Sequence, residues 1–463
     1  MSTITPLWFL LTTLTFLLSA TSDSSPLENF LQCLSNHSRP FNIKSHLHPK
    51  KSLTFIYIAQ THTHNHRFYA PTAPKPLAIV TALDESHVQG TVVCAKSNGI
   101  QIRIRSGGHD CEGLSYVSDV PFVVLDMFHF GSVDVDIENG TEWVETGATI
   151  GEVYYHTAER SGVHAFPGGV CPTVGAGGHF LVVAMEISCV DNIIDARLVD
   201  VNGNILDRKS MGEDQFWAIR GGGGGSFGVI HSWKIKFVFV TPKVTVFKVM
   251  RNLELEDGAK GLVYKWQLIA TKLHEDLFIR VMHDVVDGTQ NANKKTIQVT
   301  FIGLFLGQVF LNWVWSKVTA LKCHGSTPPF IGSITQLGPP LLDVPKEPLS
   351  HSFKTMSDYV KRPIRETALK MEWNPYGGKM HEISPSETPF PHRAGNLFLI
   401  EYLTSWGQDG VDAGNRYLNI SRSFYEFMTP YVSHSPREAF LNYRDLDIGA
   451  NHPSNATNMN IAQ

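Results

Sequence analysis

The sequence is short of net charge. Its 39 Lys and Arg nearly balance 43 Asp and Glu, leaving −4 with histidine neutral. That is too little, and of the wrong sign, for the electrostatic footprint that nucleic acid or an anionic membrane demands. Long apolar runs are equally scarce. The start, MSTITPLWFLLTTLTFLLSATSDSS, is too short for a membrane span, and no other run is long enough to cross a bilayer. It lacks the basic residues of a strong signal-peptide head, yet small residues at Ser19 and Ala20 follow its apolar stretch. A cleaved secretory signal over residues 1–20 is therefore expected. No internal repeat is present, which excludes solenoids and propellers.

Cysteine is sparse, with six in 463 residues. In a secreted chain such cysteines are read first as disulfides. Cys33 and Cys94 each lie in a short helical pattern early in the mature chain and are the expected pair, although spacing alone does not fix connectivity. Cys111, Cys171, Cys189 and Cys323 remain. Four N-x-S/T triplets, at Asn36, Asn139, Asn419 and Asn455, are candidate glycan sites.

What the chain does have is glycine in clusters: 38 copies, concentrated in 106–113, 168–178 and 221–228. The first cluster, RIRSGGHDCEGLSY, follows a strand-like alternation and presents one histidine behind two glycines. The second, FPGGVCPTVGAGGHF, sets Cys171 between two glycine pairs. The third, RGGGGGSFGVI, contains G-x-G-x-x-G at Gly223, Gly225 and Gly228. A nicotinamide-binding turn must follow a strand and open a helix. Here DQFWAIR reads as helix and FGVIHSWKIKFVFV as strand, so the order is reversed and a nicotinamide site is rejected. Bare turns of this kind let a planar or polyphosphate group approach the backbone closely.

Around these turns, PLAIVTA, IQIRIRS and FVVLDM read as strands. Asp84 caps a helix ESHVQGTVVCAKSN stopped at Gly99, and IGEVYYHTAERSG reads as a helix closed by Gly162. The Asn202–Gly203 pair predicts a hairpin. Beyond Pro242, longer strands alternate with helices such as GLVYKWQLIATKL, suggesting a sheet covered on one side by helices. The Pro-rich stretch Thr327–Pro348 reads as surface loop, and SFYEFMTPYV as helix. His62, His64 and His66 alternate in THTHNHRF, so a strand would place them on one face. No carboxylate or cysteine joins them, and no metal is expected.

The segments SGGHDCEGLSY, PGGVCPTVGAGGHF, WAIRGGGGGSFGVI, NPYGGKM, PFPHRAGN and LNYRDLDIG, in that order, make the chain resemble the berberine-bridge-enzyme-like family of secreted plant FAD-linked oxidases. The resemblance runs from about Leu27 to Asn451. It implies an α+β fold: a two-lobed PCMH-type FAD-binding domain over 21–240, then an antiparallel-sheet substrate domain covered by helices over 241–430. A segment over 431–463 returns to the FAD domain.

The resemblance further implies FAD bonded through its 8α-methyl carbon to His109 and through C6 to Cys171. Imidazole and thiolate are the soft side-chain nucleophiles able to add to an electron-poor ring. The first turn would contribute Arg105, Ser106, Gly107, Gly108 and Gly113. The second would contribute Thr173, Val174, Gly175, Gly177, Gly178 and His179, and the third Gly228, Val229 and Ile230. Tyr443 would act as catalytic base toward a substrate alcohol, or Glu401 would, since Leu399 stands where relatives carry a lysine. The expected reaction is oxidation of a CH–OH group of a monolignol, carbohydrate or alkaloid-like small molecule. O2 or another acceptor takes the electrons, in the extracellular space, cell wall or vacuole.

Three departures carry an alternative, a catalytically impaired glycoprotein with weak or no FAD binding. Cys111 replaces the usual aromatic residue, LVVAMEISCVDNIID after Phe180 is shorter than in relatives, and the chain stops at NHPSNATNMNIAQ.

Overall fold

The computed structural model describes residues 25–37, 46–50, 52–180, 189–253, 258–288, 295–306, 330–338, 367–408 and 410–433. In the first lobe, helices α1 (Pro26–His37), α2 (Leu53–Thr61) and α3 (Glu85–Ser97) surround a four-stranded sheet. Its strands are β1 (Leu47–Pro49), β2 (Ala78–Thr81), β3 (Gln101–Arg105) and β4 (Phe122–Asp126), in the order β1-β2-β4-β3. β2 and β3 both run parallel to β4. Parallel strands need a crossover, and α3 supplies the one from β2 to β3, which flank β4. Asp84 starts α3 by accepting the Ser86 N–H. Every residue of β2 and β4 is buried, which is why they read as unbroken apolar runs rather than alternations. Phe30 and Leu34 bury α1 against α3, and a disulfide joins Cys33 to Cys94 with Cα atoms 5.7 Å apart. Closing a loop of that length restricts the unfolded chain by about 4 kcal/mol.

The second lobe is an antiparallel sheet in the order β5-β6-β10-β8-β9. It contains β5 (Val133–Asp136), β6 (Thr141–Glu145), β8 (Ile193–Val199), β9 (Ile205–Leu206) and β10 (Val229–Lys236), while β7 (His164–Ala165) and β11 (Val238–Phe239) pair apart as a two-stranded ribbon. Gly203, at φ +82°, makes the β8–β9 turn. Helix α4 (Ile150–Arg160) is opened by a capping box between Thr149 and Glu152.

The remaining sheet is six-stranded and antiparallel, in the order β12-β14-β13-β16-β17-β15. Its strands are β12 (Thr245–Asn252), β13 (Leu277–Asp287), β14 (Lys295–Phe305), β15 (Phe330–Gly338), β16 (Thr367–Pro375) and β17 (Phe398–Trp406). Side chains alternate across it with a period of two. Met371, Trp373, Ile400 and Tyr402 share a core with Val263 and Phe424 of the helices Gly258–Ile269 and Val411–Met428. Leu399 points the other way, into the core of the second lobe with Tyr376, Phe390 and Trp233. The helices therefore cover one face, and the other turns toward the glycine-turn lobes. Arg393 fastens the two parts, donating 2.8 and 3.0 Å bonds to Asp191.

Three local expectations need correction. Residues 330–338, expected to be loop, form β15, paired along its length with β17. The prolines at 328, 329, 339 and 340 bracket this stretch without interrupting it, and β-branched Ile331, Ile334 and Thr335 suit a strand. The helix ending at Met428 begins at Val411, well before the expected Ser423. THTHNHRF is not a strand: α2 ends at Thr61, and a 3-10 turn begins at His66.

Glu142 is buried between β6 and α4, with Thr157 Oγ1 donating to its Oε2 at 3.0 Å. Burial pushes its carboxyl up to about 7 from 4.5, against the lowering effect of that hydrogen bond. With the folded value raised, its stabilising share is complete below 4.5 and lost as pH rises through about 7. Glu142→Gln should therefore match the parent near pH 4.5 and exceed it by about 3 kcal/mol at about pH 8. Urea-unfolding midpoints at the two pH values test this, and a pH-independent difference would contradict it.

Candidate cofactor site at the glycine turns

β3 ends at Arg105, whose side chain is almost wholly buried. Its guanidinium pairs with Asp126 Oδ2 at 2.5 Å and donates to the carbonyls of Ile58 (2.9 Å) and Ala59 (3.2 Å). Carbonyls at a helix C-terminus otherwise lack partners, so this one side chain ties α2 to β3 and β4. Its terminal nitrogens are thus committed to the protein, and it braces the turn that follows.

That turn packs backbone to backbone against the second one. A Cβ on Gly107 would lie 2.4 Å from the Gly175 nitrogen, and one on Gly175 2.2 Å from the Gly107 nitrogen. Gly108 sits at φ +69°, where a Cβ would meet the His62 carbonyl oxygen at 1.8 Å. Thr146, at the end of β6, joins all three turns. Its carbonyl accepts from Ser106 Oγ and from the Gly177 N–H, and its hydroxyl donates to the Ile230 carbonyl. Strand β10 leaves the third turn at Val229, just after Gly228, whose φ is +154°. The order there is helix (Glu213–Ile219), glycines, strand.

The second turn is gripped from α4 and from its own short helix α5 (Ala176–Phe180). The first N–H groups of α4, Ile150 and Gly151, donate to the carbonyls of Val174 and Pro172. Tyr154 donates to the Gly169 carbonyl at 2.7 Å. The Gly169 N–H donates to His179 Nε2 at 3.0 Å, so the proton of that imidazole sits on Nδ1. Burial holds His179 down near 4 and therefore neutral. Gly178 is exposed on α5, and Gly113, at φ +71°, turns beneath the Phe68 ring.

Held in this way, the two nucleophilic side chains meet on one hydroxyl. Thr173 Oγ1 lies 3.0 Å from His109 Nε2 and 3.5 Å from Cys171 Sγ. The separation of imidazole and thiol therefore cannot exceed the sum of those two contacts. Burial, and then the charge of neighbouring His64, lower His109 to about 4, partly offset by a hydrogen bond to Thr173. A neutral imidazole is the nucleophilic form. The 8α carbon of a flavin is the methyl on C8 of the same benzenoid ring that carries C6, so two nucleophiles this close, beside the abutting Gly107 and Gly175 backbones, fit that ring. A cavity of about 290 Å³, lined by Phe55, Ile79, Tyr116 and Val124, shares only Arg105 with the expected cofactor residues.

Glu401 is buried on β17, in register with Glu372 of β16 and Thr335 of β15. By the alternation above it shares a face with Leu399, the face turned toward the glycine-turn lobes. On that face Arg280 donates to Asn374 Oδ1 at 2.6 Å and lies 3.8 Å from Glu372. Tyr443, Asn455, Cys323 and the shortened stretch 181–188 lie outside the described residues. Asn36, Asn139 and Asn419 are exposed. Thr146 and Tyr154 escaped sequence reasoning, and His64 was weighed there only as a metal ligand. Thr146 stands in ETGAT, just ahead of the helix IGEVYYHTAERSG, and no local signal marks it.

The sequence matches a family described as FAD binding domain over residues 76–208. It is 46% identical to berberine bridge enzyme-like 17 of Arabidopsis thaliana, covering 98% of this chain and 92% of that protein. The chain belongs to the berberine bridge enzyme-like family. It is also 44% identical to tetrahydroberberine oxidase of Berberis wilsoniae, over 95% of this chain and 88% of that one. Among solved structures, the grass-pollen protein Phl p 4.0202, a glucose dehydrogenase, superposes with TM-score 0.79 at 34% identity. It covers 91% of this chain and 89% of its own. A variant of berberine bridge enzyme superposes with TM-score 0.79 at 32% identity, covering 93% and 90%. The fold is accordingly the PCMH-type FAD-binding fold of this family of FAD-dependent oxidoreductases.

Gly108→Ala should be severely disruptive. The left-handed conformation alone costs an L-residue about 1–2 kcal/mol, and the clash with His62 adds to it. The expected outcome is a lowered unfolding midpoint together with loss of bound flavin; parental values for both would remove the close-approach role given to this turn.

Proposed function

We propose that this family member oxidises the CH–OH group of a small-molecule alcohol, with FAD held covalently through His109 and Cys171. The observation that carries this reading is the meeting of imidazole and thiol on the Thr173 hydroxyl. FAD supplies a two-electron acceptor, and O2 or another oxidant regenerates it. The chain's own residues bind and orient. The backbone of Gly107, Gly108, Gly175 and Gly177 forms the bed, the third turn at Gly228–Ile230 continues it, and Thr173 aligns both tethers. Two covalent attachments withdraw electrons from the ring and raise its potential.

On the substrate side, a base must take the hydroxyl proton. Tyr443 and Glu401 are the candidates, and the buried polar face around Glu401 favours a substrate that brings hydroxyl groups of its own. The names of two relatives, an alkaloid oxidase and a glucose dehydrogenase, favour an alkaloid-like or carbohydrate substrate over a monolignol. We take residues 21–240 as the FAD domain, 241–430 as the substrate domain and 431–463 as the returning segment. The Cys33–Cys94 disulfide and the exposed triplets at Asn36, Asn139 and Asn419 support secretion after removal of residues 1–20.

Acid precipitation of the purified chain tests the proposal. A yellow pellet is expected, with flavin mass on peptides containing His109 and Cys171. His109→Ala and Cys171→Ala should each leave one tether, and the double substitution a colourless pellet. A colourless parental pellet would overturn the covalent reading and favour the impaired alternative.

A further inference from the structure

The histidine-rich stretch after α2 serves neither as a strand nor in the proposed chemistry, yet it is pressed against the first glycine turn. The His62 carbonyl occupies the space a Gly108 side chain would need. The His64 N–H donates to the Gly108 carbonyl at 3.3 Å. His62 is itself wedged on Phe128, ring centroids 4.6 Å apart. So held, the His64 ring stacks on His109 at 4.0 Å between centroids, with planes inclined by 30°.

This stack does something Thr173 does not. An imidazole turns easily about its broad outer torsion, and the Thr173 contact fixes only one ring atom. A second aromatic plane in contact with one face fixes the tilt of the ring and shields that face. Edge presentation is what bond formation in the ring plane requires.

We propose that His64 is a positioning residue for His109, fixing the plane in which its imidazole meets the flavin 8α carbon. This rests on the tethering reading above. In that reaction the imidazole forms one N–C bond. Its N–H hydrogen and one methyl hydrogen, with two electrons, pass to the flavin ring, and dioxygen removes them as hydrogen peroxide. Misplacement of a reacting group by an ångström costs up to about a hundredfold in rate, so loss of the stack should be legible in the yield of one tether.

The test compares the full chain with His64→Ala and His64→Phe, each expressed with FAD, by peptide mass at the two tethers. His64→Ala should lower flavin on His109 by about tenfold or more while flavin on Cys171 is unchanged. His64→Phe, which restores a flat ring, should recover most of the loss. Unchanged flavin on His109 in His64→Ala, or equal losses at both tethers, overturns the proposal, since a general folding defect would strike both. If the parent carries no flavin on His109, the tethering reading fails by itself. Positioning is then decided on cofactor-free chain, by the rate at which diethylpyrocarbonate modifies His109. A several-fold acceleration in His64→Ala but not in His64→Phe supports it, and equal rates overturn it.

Discussion

Two backbones without side chains touch at Gly107 and Gly175, and the rest of the site depends on that contact. With nitrogen atoms little more than two ångströms from where each other's Cβ would stand, no other residue fits at either position. The contact sets how far apart the strand-borne and helix-borne turns lie. It thereby sets the separation of the imidazole and the thiol mounted on them. Thr146 and Arg105 make it durable, one by accepting from the first two turns and donating to Ile230 beyond the third, the other by fastening the strand behind the first turn to its neighbours. Buried polar side chains are costly unless satisfied; the Arg105 terminal nitrogens take Asp126 and the Ile58 and Ala59 carbonyls, and the Thr146 hydroxyl takes the Ile230 carbonyl.

The helix Ile150–Arg160 has a second role. Its capping box fixes where it starts, and its unpaired N-terminal N–H groups then take the carbonyls of Pro172 and Val174. A helix start and a cofactor turn thus satisfy one another. The six-stranded sheet contributes by its pleat. One face is sealed by two helices, and Leu399 commits the opposite face to the flavin lobes. Glu401 follows Leu399 by one full pleat, so its direction is inherited.

Much of this was legible in the residues. The strands and helices of the two lobes were readable because the Asp84 cap, the stops at Gly99 and Gly162 and the Asn202–Gly203 turn are local signals. The failures were also physical. Residues 330–338 lie between proline pairs, and only the pairing with β17 makes them a strand. THTHNHRF alternates as a strand would, but it lies between α2 and a 3-10 turn and packs on the first glycine turn instead.

The sequence by itself determined the family, the reversed order of helix, glycines and strand that excludes a nicotinamide site, and the identity of two nucleophiles set behind bare turns. These are properties of neighbouring residues, written in spacing and residue type. Tertiary structure decided which atoms share a hydroxyl, that Arg105 is committed to Asp126 and helix carbonyls, and that His64 lies on His109. Those facts join residues far apart in the chain, and only packing brings them within reach.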